Sequence, residues 1–216
     1  MLVWDFNFRT KKVPQILSFG GDSGTIMRMQ MRTIIGIVLI ATAWLPGALT
    51  AGETERGAMV FAQTDDYIAE VFAHTTQPKV SILWPSGELR EQLESILGHN
   101  PSLRFRYWGA GGKTVWILDE VGKDRPITAG VVIDQGKISD VQVLVFRESR
   151  GWEIRHEFFT RQFVNLWLKQ NHRLSDRVDN ITGATMSVKA MTRMARAALL
   201  LHEHSNQNTR TLATAR

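Results

Sequence analysis

VVIDQGKISDVQVLV, residues 131–145, decides the fold. β-Branched and apolar residues fill both arms, and the polar pair Gln135-Gly136 sits between them, where a chain reversal needs a residue tolerant of unusual backbone angles. The pattern is a β-hairpin, with strands expected over 127–134 and 137–146. Two more stretches of β-formers, 102–108 and 113–121, come before it, and glycine-containing turns at 109–112 and 122–126 separate the four. Strands joined by such short turns run antiparallel. The expected fold class is α+β, an antiparallel sheet with packed helices.

Upstream the period changes. Residues 64–76 read as a helix capped by Thr64 or Asp65, with Ile68, Val71 and Phe72 on one face. Residues 78–85 are a short strand or extended link bounded by prolines. A second helix spans 86–97, with Leu89, Leu93, Ile96 and Leu97 as its apolar stripe and Gly98 as its stop. These features suggest a helical N-terminal section at 52–100, beside a main domain at 101–204.

The first 51 residues have a different character. Arg28 and Arg32 precede an apolar run at 33–45, which ends in small residues up to Ala51. A basic start, a short apolar middle and a small-residue end describe a signal peptide, or an uncleaved anchor. The expected location is periplasmic or otherwise extracytoplasmic, with anchoring to the inner membrane as the variant. Met27, Met29 and Met31 each offer a start nearer to this signal.

Charge argues against nucleic acid as a partner. Residues 1–51 hold Arg9, Lys11, Lys12, Arg28 and Arg32 against Asp5 and Asp22, which leaves only +2 of the formal +5 for the remainder. The chain has no cysteine, so disulfides, iron–sulfur clusters and c-type haem attachment are excluded. Gly112-Lys113-Thr114 resembles the end of a phosphate-cradling loop, but Tyr107 stands where its first glycine belongs and strands flank it on both sides. A hairpin turn fits better. No glycine fingerprint for a nicotinamide cofactor follows any strand. His202 and His204 are two residues apart, so a helix points them to different faces and no metal site is indicated.

The remaining signal is DNITGATMS, residues 179–187, ahead of a run in which Val188, Met191, Met194, Ala195, Ala198, Leu199 and His202 recur at helical spacing. A helix beginning near residues 185–187 presents unpartnered N–H groups at its start, a ready place for a phosphate. Read locally, the hydroxyls are helix caps, with Thr182 or Ser187 in that role. Arg147 to Trp152 reads locally as a polar turn, with Glu148 as a solvated charge. Phe158, Phe159, Phe163, Leu166, Trp167 and Leu168 crowd one helical stretch at 158–168 and read as core, although one of them, or Trp152, could flank an aromatic ligand. From Ser205 onward the chain is polar, and 205–216 is expected to be a disordered tail.

Asp-x-x-Thr-Gly-Ala-Thr-x-Ser, close to the C-terminus and followed by an amphipathic helix, resembles the flavinylation motif of FMN-binding domains. That family includes the covalent-flavin subunits of sodium-pumping quinone reductases and of Rnf-type complexes. Glu148-Ser149-Arg150-Gly151 is similar to the family's Glu-Thr-x-Gly segment, with serine in place of threonine, and the resemblance covers about residues 127–204. It implies FMN joined to Thr185 by a phosphoester, with Asp179, Thr182, Gly183, Ala184, Ser187, Glu148, Ser149 and Gly151 around the cofactor. It also implies a separate flavin transferase, using FAD and magnesium, that makes the bond. The function so implied is an exported electron carrier rather than a turnover enzyme, paired with a membrane or cytochrome redox partner. The alternatives are a non-redox exported module in which Thr185 only caps a helix, and a free-standing flavin reductase.

Overall fold

The computed structural model describes residues 57–214, which fall within one compact unit spanning 51–216. The expected signal or anchor segment lies outside the described residues. Among the described residues no helix is long and apolar enough to cross a membrane.

Six strands form one antiparallel sheet in the order β1-β6-β5-β4-β3-β2. The four central strands, β3 (Phe105–Ala110), β4 (Lys113–Val121), β5 (Pro126–Asp134) and β6 (Lys137–Phe146), are sequential hairpins. The β5–β6 turn has positive φ at both Gln135 (50°) and Gly136 (75°), the geometry whose twist matches that of the flanking strands. Gly111 and Gly112 do the same between paired Ala110 and Lys113, so the Gly-Lys-Thr sequence there is a hairpin turn.

The section before residue 100 is not purely helical, because it also supplies both edges of the sheet. β1 (Met59–Val60) pairs with β6, and β2 (Lys79–Leu83) pairs with β3. Between them α1 (Thr64–Val71) carries the chain across one face, with Gln63 rather than Thr64 or Asp65 at the cap position. α1 ends five residues short of the expected Thr76. Phe72 leaves helical geometry (φ −105°, ψ 10°), and Ala73 and Thr75 donate to carbonyls three residues back, which tightens the chain into turns. α2 (Gly87–Leu97) follows Ser86 and stops at Gly98, whose φ of 79° closes the helix with a hydrogen bond to Glu94.

Helices cover both faces, which explains why β5 is buried along nearly its whole length. On one face α1 packs Tyr67, Ile68 and Phe72 against Trp108, Val115, Val132 and Leu144. The larger core on the other face joins α2, the short α3 (Glu157–Thr160) and α4 (Thr185–Thr214) to Trp116, Ile127, Val131, Val143 and Phe146. Phe159 and Phe163 belong to this core, whereas Phe158, Trp167 and Trp152 are exposed.

α4 continues through Ser205 to Thr214, where a disordered tail was expected. Ser205 is buried and donates to the His202 carbonyl. His202 is also buried and pairs through Nδ1 with the Thr114 hydroxyl at 2.7 Å, which in turn accepts from Trp116 Nε1 at 3.0 Å. Burial pushes the His202 imidazole down, so it stays neutral, and this polar chain fastens the far half of α4 to β4.

A second fastening lies between α2, β4 and α4. The buried Glu120 carboxylate accepts from Arg193 Nε at 2.7 Å and faces His99 Nε2 at 2.5 Å, while His99 Nδ1 faces the Asn100 carbonyl at 3.0 Å. With an acceptor at each ring nitrogen, the Asn100 carbonyl and then Glu120 raise the His99 pKa above its ordinary 6.5. A raised folded-state value stabilises the fold fully below the unfolded pKa and loses that contribution as pH climbs through the folded one. Urea unfolding of His99→Gln against wild type should show a gap that is widest below pH 6.5 and closes as pH rises. A gap independent of pH contradicts the charged pairing.

Gly130 is fixed by packing. A Cβ built there falls 2.2 Å from the Tyr67 ring, whose hydroxyl donates to Asp140 at 3.0 Å. Overpacking of this kind typically costs about 1–3 kcal/mol. Gly130→Ala should lower the unfolding free energy by about that amount, and Gly130→Ala with Tyr67→Leu should recover part of the loss because the clashing ring is gone.

Candidate functional site

Three segments distant in sequence converge on one cleft of about 520 Å³. They are the β4–β5 turn with Lys123, the stretch after β6 with Glu148, Ser149 and Arg150, and the turn into α4 with Gly183 through Ser187.

Glu148 joins the first two segments. Its Oε1 accepts the backbone N–H groups of Lys123, Asp124 and Arg125 at 2.5, 2.7 and 2.9 Å. The residue is 6% exposed, which corrects the local reading of a solvated charge. Burial alone would raise its pKa, but the three N–H donors, helped by the Lys123 ammonium, outweigh burial and hold it below the ordinary 4.5. Gly122 makes the approach possible, since a Cβ there would lie 2.9 Å from Glu148 Oε1.

Gly151 joins the second segment to the third. Its φ of 88° favours glycine, and a Cβ there would come within 2.7 Å of Ser187 Oγ and 3.3 Å of Ala184 Cβ. Ser187 and Ala184 are both buried, so they serve as the floor on which the two motif segments meet.

The turn into α4 is tight. Ala184 N–H donates to the Ile181 carbonyl at 2.9 Å, and Gly183, with φ of 86°, occupies the third position, where a positive φ is needed. The first i to i−4 bond of α4 runs from Val188 to Ala184, which makes Ala184 the cap residue. An alanine methyl accepts no hydrogen bond. Neither Thr182 nor Ser187 holds the cap position, and the expectation of a hydroxyl cap there is corrected. The first N–H groups of a 30-residue helix thus open toward the cleft without a capping side chain from Ala184, and carry the positive end of its dipole.

Thr185 is the first helical residue and is exposed. Its Oγ1 accepts from Asn180 Nδ2 at 2.9 Å, which orients the hydroxyl and leaves its proton free to be given up. Lys123 and Arg150 add cationic side chains to the lining, and exposed Met186 adds apolar surface. Of the residues singled out from the sequence, Glu148, Ser149, Gly183, Ala184, Thr185 and Ser187 line the cleft, and Gly151 packs beneath it. Asp179 and Thr182 do not line it. Both are exposed, and the Asp179 backbone N–H instead donates to Gln162 Oε1 at 2.7 Å. Asn180, Lys123, Arg150 and Met186 escaped the sequence reading. Asn180 was visible inside the motif, but Lys123 lies more than 50 residues from Thr185 and had no local signal.

Among the described residues no group of three or more His, Cys, Asp or Glu is placed to hold a metal ion. The site's assets are therefore a positioned hydroxyl, unpartnered helix N–H groups, two cations and a carboxylate already engaged by backbone.

Residues 122–200 match the FMN-binding domain family, a span from the turn that holds Glu148 to the middle of α4. This stretch is similar to FMN-binding domains, and the match supports FMN as the cofactor. No curated protein matches the chain.

Glu148→Gln should test the carboxylate's role in building the cleft. A depressed folded pKa gives stability that is present above the ordinary value and is lost as pH falls through the folded one. The variant should be less stable than wild type by about 1.5–3 kcal/mol near neutrality, the usual worth of hydrogen bonds to a charged group. In denaturant titrations the difference should shrink as pH falls below 4.5. An undiminished difference at acid pH would show that the charge is not what matters.

Proposed function

We propose that this FMN-binding domain carries its FMN covalently on Thr185, through a phosphoester, and that the protein is an exported electron carrier. The observation that carries the reading is the Thr185 hydroxyl. It is exposed at the first position of a long helix whose cap residue has no acceptor, in the same cleft as the Glu148 segment. An ester phosphate needs hydrogen-bond donors and positive charge, and the helix start, Lys123 and Arg150 supply both. A cleft of about 520 Å³ lies within the range usual for cofactor sites.

Each residue then has a physical task. Thr185 supplies the ester oxygen. Asn180 fixes the direction of that oxygen through its amide. Gly183 and the methyl of Ala184 leave the approach to the hydroxyl uncrowded, so a separate flavin transferase using FAD and magnesium can reach it. Glu148, whose carboxylate is engaged by three backbone N–H groups, holds the second wall in place. When bound, FMN supplies one- or two-electron transfer, and the protein contributes position and hydrogen bonding that tune it.

The N-terminal basic-apolar-small pattern supports export to the periplasm or an equivalent compartment, cleaved or anchored to the inner membrane. A tether suits that setting, where a dissociated cofactor is not readily replaced. A membrane-bound or cytochrome partner is the proposed exchange point for electrons. The reading of Thr185 as a helix cap only is weakened by Ala184 standing at the cap position.

Co-production with a flavin transferase, followed by denaturing electrophoresis, tests the proposal. Wild type and Thr182→Ala should give a fluorescent band, and Thr185→Ala a dark one. A dark wild-type band, or a fluorescent Thr185→Ala band, refutes attachment at this residue.

A further inference from the structure

A second cavity, sharing no lining residue with the cleft, lies between α4 and the 169–178 segment and has a volume of about 620 Å³. Arg196 on α4 stands 11 residues beyond Thr185, about 16 Å along the helix at 1.5 Å per residue. Lys169, Arg173, Arg177 and Arg196 line the cavity, and Asp176 is its one carboxylate. Among the described residues, none of these four cations forms an ion pair with an acid.

The walls are held in advance. Lys169 N–H donates to the Arg173 carbonyl and His172 N–H to the Lys169 carbonyl, each at 2.8 Å, and Leu168 bridges to Leu174 behind them. This closes a small loop in which His172 adopts a φ of 55°, a conformation that non-glycine residues rarely take. Arg196 is half-buried, and its Nε donates to the His172 carbonyl at 2.5 Å. That bond fixes the guanidinium plane and uses one of its five donors. The Nη groups have no protein partner among the described residues. Burial, and then the positive charge of Arg173, lower the Arg196 pKa, in keeping with two guanidinium side chains lining one cavity.

Such an arrangement is incomplete on its own. Guanidinium forks match carboxylate and phosphate oxygens in pairs, and four cations against one acid call for more than a single negative charge. We propose that this cavity binds a small organic anion bearing two or more carboxylate or phosphate groups. Its volume suits a molecule of metabolite size. The site stands independently of the flavin, because its residues and its charge are separate from those of the cleft.

Isothermal titration of the flavin-loaded full chain at low ionic strength, with citrate and pyrophosphate as probes and acetate as a singly charged control, tests the inference. Saturable one-to-one binding of citrate or pyrophosphate is expected, with acetate much weaker, and the tighter of the two probes identifies carboxylate or phosphate as the preferred group. Arg196→Gln and Arg173→Gln should each weaken binding by about tenfold or more, as expected for loss of a charge-assisted fork. Lys123→Gln, in the flavin cleft, should leave it unchanged. Arg173 is exposed, so its replacement remains informative even where Arg196→Gln folds poorly. Non-saturating heats with every probe would overturn the proposal. So would binding abolished by Lys123→Gln and untouched by Arg173→Gln, because it would move the anion to the other cleft.

Discussion

A carboxylate taken out of water must find other donors, and Glu148 finds three in one turn of backbone. The functional cleft depends on this. Oε1 pins the turn that follows β4 to the segment that follows β6. Gly122 leaves the space for that oxygen, and Gly151 leaves the space for Ser187 and Ala184 on the other side. The two glycines are therefore positional requirements of one assembly, in which a sheet end is clamped to the start of the last helix.

The sheet supplies the rigidity behind the clamp. α1 and α4 bury opposite faces of β5, and the His202–Thr114–Trp116 chain and the Glu120 cluster tie α4 to β4 at two heights. A helix held along its length presents its first turn in a fixed place. Thr185 consequently sits on a rigid element while its neighbours Thr182 and Gly183 lie on a turn, a division that suits a group destined for modification.

Much of this was legible in the sequence, for physical reasons that can be stated. β4 and β6 begin and end where alternation of apolar residues and the turn glycines said they should. The periodic face of α4, from Val188 to His202, is buried throughout. β3 starts at Phe105, three residues later than expected, because its register is set by β2, whose pairing begins at Leu83 with Phe105. The environment of Glu148 was not legible, since its partners lie 23 to 25 residues upstream and no local pattern points to them. Asp179 and Thr182 stand within the motif without lining the cleft, while Lys123 enters it from a strand connection that reads only as a turn. The FMN-binding domain itself was recognisable from residues 182–185 together with the Glu148 segment, and the family match spans both.

The central claim is that Thr185 is the attachment point in a cleft built by the Glu148 clamp. The most direct measurement is fragment mass spectrometry of the tryptic peptide covering residues 178–189, from protein matured with a flavin transferase. The account predicts an added FMN phosphate ester localised to Thr185, with Thr182 and Ser187 unmodified. An unmodified peptide from flavin-bearing protein, or an ester on Thr182 or Ser187, would contradict it.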